Sequence, residues 1–356
     1  MKRFIKILVV WISSFIVSAC MDMGSATPKL NIDYPAAYVV NGESSTLSII
    51  NLNTNEVTDL VQLTDGMTGM AHGSGIFLAY PHHIYLNPAQ NQIAIADPGI
   101  NLSGGHGADP THKSTAKVLI VDAVKGQNIK LIELPKMNHN AIYTPDGKEI
   151  WTSQMDHDGK ILVYDATTYA LKNTIKVGKE PAEITFSADG SIAFVANGEE
   201  NTVSAIHPTT KAVTATISVG KNPVGAWMGA DNRMYVDNED GQTVSIIDVK
   251  TLKVVETVEL GFMPGYAAYN AELKELWITD PIVGKVHWWK QDSNGKFAHG
   301  GTLITAAGAH AIAFKGSTAY VTNQDAASVS VIDAMKHTKI KDIKVGAKPN
   351  GIVLKF

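Results

Sequence analysis

The sequence predicts an all-β fold, a β-propeller of seven four-stranded blades. A motif repeats along the chain, and its later copies lie 41 to 43 residues apart. Each copy holds four short runs of β-branched and aromatic residues, separated by Gly, Asn and Asp. Four strands per unit at this period are typical of propeller blades. No long segment has the apolar period of an amphipathic helix, which favours an all-β chain.

The repeat is plainest in the second half of the chain. AFVANGEENTVSAIHPTTKAVTATISVGKNPVGAW is followed by MYVDNEDGQTVSIIDVKTLKVVETVELGFMPGYAA, and AYVTNQDAASVSVIDAMKHTKIKDIKVGAKPNGIV lies near the end. One polar residue aligns in every unit, and we call it the anchor. The seven anchors are Asn41, Asp97, Gln154, Asn197, Asn238, Asp280 and Asn323, at spacings of 56, 57, 43, 41, 42 and 43 residues. Because they recur in every unit, we expect them to cap turns.

The two ends of the repeat region predict how the ring closes. The first repeat, AYVVNGESSTLSIINLNTNEV, holds three strands and lacks an inner strand, whereas NGIVLKF at the end forms an inner strand with nothing after it. Residues 350–354 are therefore predicted to complete the first blade, which leaves no open sheet edge. The propeller is expected to span residues 36–356.

The segment AYVTNQDAASVSVID resembles the repeats of the YVTN family of β-propellers. The resemblance covers nearly all of residues 36–356 and implies the propeller fold. It implies little about activity, because this fold hosts many unrelated functions.

The first residues predict a secreted, lipid-anchored protein. Residues 1–19 hold a basic start, a short apolar run and small residues, as in a signal peptide. VSAC resembles a bacterial lipobox, which implies that Cys20 is lipidated and that residues 20–35 form a tether. Met21 follows Cys20, and the resemblance then implies an outer-membrane lipoprotein that faces the periplasm or the cell surface. The N-terminal lipid would attach the protein to the membrane, which is its expected partner.

Composition excludes several alternatives. Cys20 is the single cysteine, so the fold depends on core burial without disulfides. Loss of residues 1–19 removes three basic side chains and takes the formal net charge from −4 to −7. No basic patch is evident, so we expect no nucleic-acid partner. A monomer is expected.

Two insertions mark one face of the disc. Residues 64–83 lie between an outer strand and the next inner strand, and residues 98–115 lie between the second and third strands of blade 2. Each adds about 14 residues to a bare blade, and both connections emerge on the same face of a propeller. A protein partner is a candidate occupant of this face.

The start of the inner strand, which we call the entrance position, is polar in four adjacent blades. Across the blades it reads His82, His139, Ala182, Val224, Gly265, His310 and Asn350. Twelve histidines in 356 residues would place fewer than one in seven positions, and three are present. We therefore predict that His82, His139 and His310 share a metal site at the channel mouth. His83 is a secondary candidate, expected to point away by strand alternation.

Methionine adds a second pattern on the same face. The motif Met-x-His occurs three times, as Met70 with His72, Met137 with His139, and Met155 with His157. Two further histidines, His106 and His112, lie in the second insertion. Imidazole with thioether suits copper, whereas imidazole with carboxylate equally suits zinc or iron. Copper is therefore the predicted metal, with zinc and iron as alternatives. The alternative interpretation is that these histidines bond only water and backbone, while the loop methionines pack against the blades.

Three functions remain open from the sequence. The first is a lipid-anchored propeller that binds a transition metal. The second is a propeller enzyme, of the metal-assisted lactonase, lyase or haem-handling type, whose catalytic residues the sequence does not identify. The third is a protein-interaction scaffold without metal. No GxSxG, P-loop, HExxH or CxxCH motif assigns another chemistry.

Overall fold

The computed structural model describes residues 30–64, 78–103 and 116–356. Within these ranges the chain forms 28 β-strands in seven four-stranded antiparallel sheets. No helix in the described ranges is long and apolar enough to cross a membrane. The predicted signal peptide and lipidated Cys20 lie outside the described residues, as do Met70, His72, His106 and His112.

The first three blades contain the insertions. Blade 1 comprises β1 (Ala36–Asn41), β2 (Thr46–Asn51), β3 (Glu56–Gln62) and the inner strand β28 (Pro349–Lys355). Blade 2 comprises β4 (Ile84–Leu86), β5 (Gln92–Asp97), β6 (Lys117–Asp122) and β7 (Asn128–Glu133). Blade 3 comprises β8 (Ala141–Tyr143), β9 (Glu149–Gln154), β10 (Lys160–Asp165) and β11 (Leu171–Lys176).

The remaining four blades follow the bare repeat. Blade 4 comprises β12 (Pro181–Phe186), β13 (Ala193–Asn197), β14 (Thr202–Ile206) and β15 (Val213–Ser218). Blade 5 comprises β16 (Pro223–Gly229), β17 (Arg233–Asn238), β18 (Thr243–Asp248) and β19 (Lys253–Glu259). Blade 6 comprises β20 (Tyr266–Asn270), β21 (Glu275–Asp280), β22 (Lys285–Gln291) and β23 (Phe297–Ile304). Blade 7 comprises β24 (Ala309–Lys315), β25 (Thr318–Asn323), β26 (Ser328–Asp333) and β27 (Thr338–Lys344).

The ring closes as the sequence predicts. β28 pairs antiparallel with β1, with Ala36 opposite Lys355 and Val39 opposite Ile352. Each inner strand also contacts the inner strands of its two neighbouring blades. The seven inner strands therefore surround one central channel, and the sheets leave no open inner edge.

Apolar packing between blades forms the core. In blade 7, β25 and β26 are almost fully buried, whereas β27 at the rim is mostly exposed. Trp277 and Val286 of blade 6 pack against Ile312 and Val321 of blade 7. The two middle strands of each blade read as near-continuous apolar runs because neighbouring blades cover both of their faces.

Each anchor is the last residue of its blade's second strand. In blades 1, 4, 5 and 7 the anchor is Asn, and its amide donates to two hydroxyls of the third strand. Asn323 Nδ2, for example, donates to Ser328 Oγ at 3.1 Å and to Ser330 Oγ at 3.0 Å. The same pattern holds for Asn41, Asn197 and Asn238. In these four blades the anchors therefore fasten the hairpin between the second and third strands.

The anchor of blade 2, Asp97, makes different contacts, because one insertion precedes it in the sequence and the other follows it. Asp97 accepts backbone hydrogen bonds from Ala79 and Tyr80 at 2.9 Å and from Gly99 at 3.1 Å. One carboxylate thus holds the end of the first insertion and the start of the second.

Residues 30–35, predicted as the end of the tether, pack against the propeller. Ile32 is fully buried in the apolar cluster of blades 1 and 2. Its N–H donates to Val124 O at 2.9 Å, and its carbonyl accepts from Lys355 Nζ at 3.0 Å. Among the described residues, the packed body therefore includes Leu30 and Ile32, which precede residue 36.

Candidate metal centre

Backbone hydrogen bonds on two sides hold His82 and His83 in place. The His82 N–H donates to Ala96 O at 2.8 Å, and the Ala96 N–H donates to His83 O at 3.0 Å. The His82 carbonyl accepts from the N–H of Gly351, on the inner strand of the neighbouring blade, at 2.9 Å. The doublet is therefore part of the ring of inner strands, although β4 begins only at Ile84.

The other two entrance histidines are also fixed at the backbone. The His139 N–H donates to Ser153 Oγ at 3.2 Å. His310 lies in β24 where the pairing with β25 shifts between Ala309 and Ile312. A shift of this kind lets the extra residue turn its side chain out of the regular alternation.

Four imidazoles meet at the channel mouth. Ring centroids lie 4.5 Å apart for His82 and His83, 5.2 Å for His82 and His139, and 4.6 Å for His83 and His139. The His310 ring lies 5.5 Å from His82 and 5.9 Å from His83. All four side chains are buried, with 1 to 5 % exposure. One nitrogen each of His82, His83 and His139 lies within 4.8 Å of the others.

The expectation that His83 points away is wrong. Its ring lies among those of His82, His139 and His310. Alternation holds within a regular strand, and this doublet precedes β4, so neighbouring side chains can face the same side. His83 is therefore a full member of the cluster.

A buried carboxyl group lies beside His139. Glu183, on β12, is fully buried, and its Oε2 lies 2.7 Å from His139 Nδ1. Its Oε1 accepts from Asn140 Nδ2 at 2.7 Å and from the Tyr85 hydroxyl. Burial raises the pKa of Glu183 well above its usual value, although the hydrogen bonds from Tyr85 and Asn140 act to lower it. The carboxyl group orients the His139 ring through Nδ1 and leaves Nε2 as the atom to bind a ligand.

A second buried carboxyl group lies in the next blade. Asp237 is 1 % exposed and accepts from Trp227 Nε1 and from the Gly225 N–H, the latter at 3.3 Å. The Trp227 ring lies 3.8 Å from that of Tyr266 and 5.8 Å from that of His83, between centroids.

Below the imidazoles the channel contains a cavity of about 220 Å³. Three of its lining residues, His83, Tyr85 and Tyr266, have polar side chains. Its remaining lining is apolar and comes from blades 1, 2 and 7: Ile84, Ala311, Ile312, Ala313, Gly351, Ile352, Val353 and Leu354. The imidazole cluster thus adjoins a space large enough for a small molecule.

The other half of the mouth is apolar. Met137 and Met155 are buried in one cluster with Leu102 and with Ala182 and Val224, the entrance residues of blades 4 and 5. The two methionines therefore pack in the apolar half, beside the entrance residues of blades 4 and 5. Leu102 comes from the second insertion, whose described start covers this half.

Two further predicted residues have other partners. Asn350 Nδ2 donates to Pro81 O at 3.0 Å, and its Oδ1 accepts from Gln324 at 2.7 Å, so its amide joins blades 1, 2 and 7. His157 is 66 % exposed and lies 2.5 Å from Glu199, in a separate surface group with Glu180. The Glu199 carboxylate raises the pKa of His157. The structure does not bring His157 to the buried imidazoles.

Three residues at this site, Glu183, Tyr85 and Tyr266, were not predicted from the sequence. A signal was present one residue past the entrance position, which we call the second position. Across blades 2 to 7 and then 1 it reads His83, Asn140, Glu183, Gly225, Tyr266, Ala311 and Gly351. At this position Glu183 contributes a carboxyl group, Tyr266 a phenol and His83 the fourth imidazole. A Glu in an otherwise apolar inner strand was the clearest sign.

Comparison with known proteins agrees with the fold. Residues 170–325 match the family model described as YNCE-like beta-propeller. The protein YncE of Salmonella typhi is 24 % identical over 257 residues, which cover 69 % of this chain and 68 % of that protein. These matches agree with the seven-bladed propeller of repeats predicted from the motifs, and the structure confirms that fold.

Two solved structures show the same architecture. The periplasmic gluconolactonase PpgL of Pseudomonas aeruginosa superposes with a TM-score of 0.69 at 14 % identity, covering 90 % of this chain and 99 % of that one. The dihydro-heme d1 dehydrogenase NirN in complex with DHE superposes with a TM-score of 0.60 at 14 % identity, covering 89 % and 74 %. At these identities the likeness concerns the fold.

Proposed function

We propose that the channel mouth binds one transition-metal ion through the imidazoles of His82, His83 and His139, with His310 beside them. One observation carries the proposal: a nitrogen of each of the first three residues lies within 4.8 Å of the others in a buried site. The neutral imidazole is the form that binds metals. Three such ligands are a common protein set for a metal that keeps an open position.

The surroundings of His139 support the same function. Metal-binding histidines commonly use their second ring nitrogen to contact a carboxyl group, which fixes the ring and its tautomer. The 2.7 Å contact between His139 Nδ1 and Glu183 has this form. Tyr85 and Asn140 hold the carboxyl group in turn.

Copper is the metal we propose first, with zinc and iron as alternatives. Imidazole ligands suit all three ions. Met137 and Met155 favour copper less than the Met-x-His pattern predicts, because both side chains pack in the apolar cluster. An all-imidazole set then leaves the choice of ion to direct measurement.

A second function is catalysis by water bound to this metal. The cavity that borders His83 favours it, because a substrate there would lie beside the open metal position. The solved structures with this fold include a periplasmic gluconolactonase and a dihydro-heme d1 dehydrogenase.

Metal analysis of the purified full chain tests the first function. After loading with copper or zinc and desalting, we expect about one ion per chain, measured by elemental mass spectrometry. The variant with His82, His83 and His139 all changed to Ala should retain none, whereas His157→Ala should retain the full amount. Absence of metal above background in the wild type rejects both functions and leaves a protein-interaction scaffold, with the insertion-bearing face as its partner surface.

We also propose that Cys20 carries a lipid that anchors the chain to the bacterial outer membrane, facing the periplasm or the surface. The signal-like residues 1–19 and the VSAC sequence support this. Labelling cells with a radioactive fatty acid should mark the wild type and leave Cys20→Ser unlabelled. Labelling of Cys20→Ser, or recovery of the wild type without lipid, contradicts the anchor and leaves the metal proposal unaffected.

A further inference from the structure

We propose that the channel cavity binds a small, neutral, mostly apolar molecule that carries one hydrogen-bonding group. The cavity measures about 220 Å³. An apolar cavity of about 150 Å³ is known to hold benzene, so this one has room for about nine non-hydrogen atoms. Its size therefore fits a substituted ring or a short branched chain.

Small side chains from two neighbouring blades line the cavity. The lining residues one and three positions past the entrance are Ala311 and Ala313 in blade 7, and Gly351 and Val353 in blade 1. Gly351 is required by close packing, since a Cβ there would lie 2.9 Å from Ile84 Cγ2 and 3.0 Å from His82 O. In blade 4 the second position is Glu183, whose side chain occupies the channel.

Tyr266 supplies the polar contact for the ligand. Its ring borders the cavity and packs on Trp227 at 3.8 Å between centroids. Burial, together with the charges of Glu183 and Asp237, raises the pKa of Tyr266, so the phenol stays protonated. Among the described residues its hydroxyl has no hydrogen-bond partner, whereas that of Tyr85 already donates to Glu183. The Tyr266 hydroxyl is thus placed to bond a hydroxyl or carbonyl of the ligand.

The lining excludes other ligand classes. Transfer of a charged group into an apolar space is costly, and two acidic side chains already lie close by, which disfavours an anion further. A sugar lactone with many hydroxyls would need more hydrogen-bond partners than two phenols and one imidazole provide. The cavity therefore selects an apolar molecule, even though one propeller with this fold is a gluconolactonase.

Exposure along the inner strands indicates where the ligand enters. His83, Ala311 and Gly351 at the upper end are buried, whereas Val353 and Leu354 further along are partly exposed. The cavity thus opens toward the face opposite the insertions and ends at His83. That the bound molecule meets a metal there rests on the proposed function, whereas binding itself does not.

Two fluorinated probes test the cavity in the full chain after metal removal by a chelator. We expect 4-fluorophenol and fluorobenzene to bind the wild type, detected by fluorine NMR titration. Tyr266→Phe should weaken 4-fluorophenol roughly three- to tenfold and leave fluorobenzene unchanged, because only the phenol uses the hydroxyl. Ala313→Leu should abolish both by filling the space, and the exposed control Ala298→Leu should bind both like the wild type.

The thermal melting curve of each variant shows whether it folds, and Ala313→Val replaces Ala313→Leu if the larger side chain prevents folding. Failure of both probes to bind the wild type overturns the proposal, as does full binding in the folded, filled variant. Equal loss of both probes in Tyr266→Phe rejects the assigned hydrogen bond. Because the protein carries no metal in this assay, none of these outcomes bears on the metal-content measurement.

Discussion

The two halves of the channel mouth are built on the same backbone and carry opposite chemistry. On one side, His310, Asn350, His82 and His139 occupy the entrance positions of blades 7, 1, 2 and 3. On the other side, Ala182 and Val224 occupy the same position in blades 4 and 5 and pack with methionine and leucine. The repeat therefore determines the position of each entrance side chain, and the residue type determines whether that position is polar or apolar.

The apolar half has a structural task of its own. Met137 precedes β8 and Met155 follows β9 in the blade that contributes His139, and both pack with the apolar entrance residues Ala182 and Val224. Thioether side chains adapt to irregular gaps, which suits a position where a regular repeat meets an insertion. The comparison predicts that substitutions in one half change metal binding, whereas substitutions in the other half change stability.

The largest effect on metal binding is expected from His83→Ala. Loss of one of three imidazole ligands should weaken metal affinity by about a thousandfold or more, equivalent to about 4 kcal/mol. The matched change in the apolar half, Val224→Ala, should alter affinity less than threefold, within about 0.7 kcal/mol. Competition with a chromophoric chelator measures both. Equal losses of metal affinity in the two variants would contradict the prediction that only one half of the mouth binds the metal.

The largest effect on stability is expected from Met155→Ala. Its side chain is 4 % exposed in the apolar cluster, so truncation should cost about 2–4 kcal/mol of the free energy of unfolding. Met335→Ala is the control, because that side chain is 67 % exposed and its loss should change stability by less than about 0.5 kcal/mol. Urea unfolding gives both values. A Met155→Ala variant that keeps its stability and loses metal affinity would make this methionine a ligand, as the Met-x-His pattern first indicated.

A smaller effect on metal affinity is expected from Glu183→Gln. The change keeps the shape of the side chain and removes the carboxylate beside His139, which should weaken metal binding about 10- to 100-fold. Glu275→Gln is a close control, because Glu275 is also buried and lies 2.9 Å from an imidazole nitrogen, that of His337. Isothermal titration with the metal compares the two. Unchanged affinity in Glu183→Gln would show that this carboxyl group serves the fold and not the metal.

The fold was predictable from the sequence because it depends on period and hydrophobic pattern. The spacing of the anchors predicts seven blades, and the unpaired end strands predict that β28 completes blade 1, both of which the structure confirms. The arc of His310, His82 and His139 follows from the same alignment, because equivalent positions in a ring of blades are neighbours in space.

The finer features of the site depend on local geometry that the period does not specify. The direction of His83 depends on the backbone hydrogen bonds of the doublet: the Ala96 N–H donates to the His83 carbonyl, and the Gly351 N–H donates to the His82 carbonyl. Glu183 reads as an isolated charge in an apolar strand until the fold places it beside His139. Methionine suits both a copper site and an apolar core, so the pattern alone could not assign Met137 and Met155.

The smallest effect is a loss of stability, and it is expected when an acceptor of the anchor Asn is removed in blades 4 and 5, where the hydrogen bonds are equivalent. Asn197 donates to Thr202 and Ser204 in blade 4, and Asn238 donates to Thr243 and Ser245 in blade 5, with nearly the same distances. Ser204→Ala removes one acceptor of the pair, so it should cost about 1 kcal/mol of the free energy of unfolding. Ser245→Ala should cost the same amount within about 0.5 kcal/mol, because its hairpin is equivalent.

Neither serine variant should change metal affinity, because both hairpins belong to blades with no imidazole at the entrance. Urea unfolding and chelator competition on the same preparations measure the two quantities. Ser191→Ala is the control, since this serine is exposed in a turn where its hydroxyl donates to Asp189, and its loss should stay within about 0.5 kcal/mol. A change in metal affinity in either hairpin variant would show that the hairpins affect the metal site. It would contradict the prediction that metal binding depends on the residues at the entrance positions and not on the hairpins that several blades share.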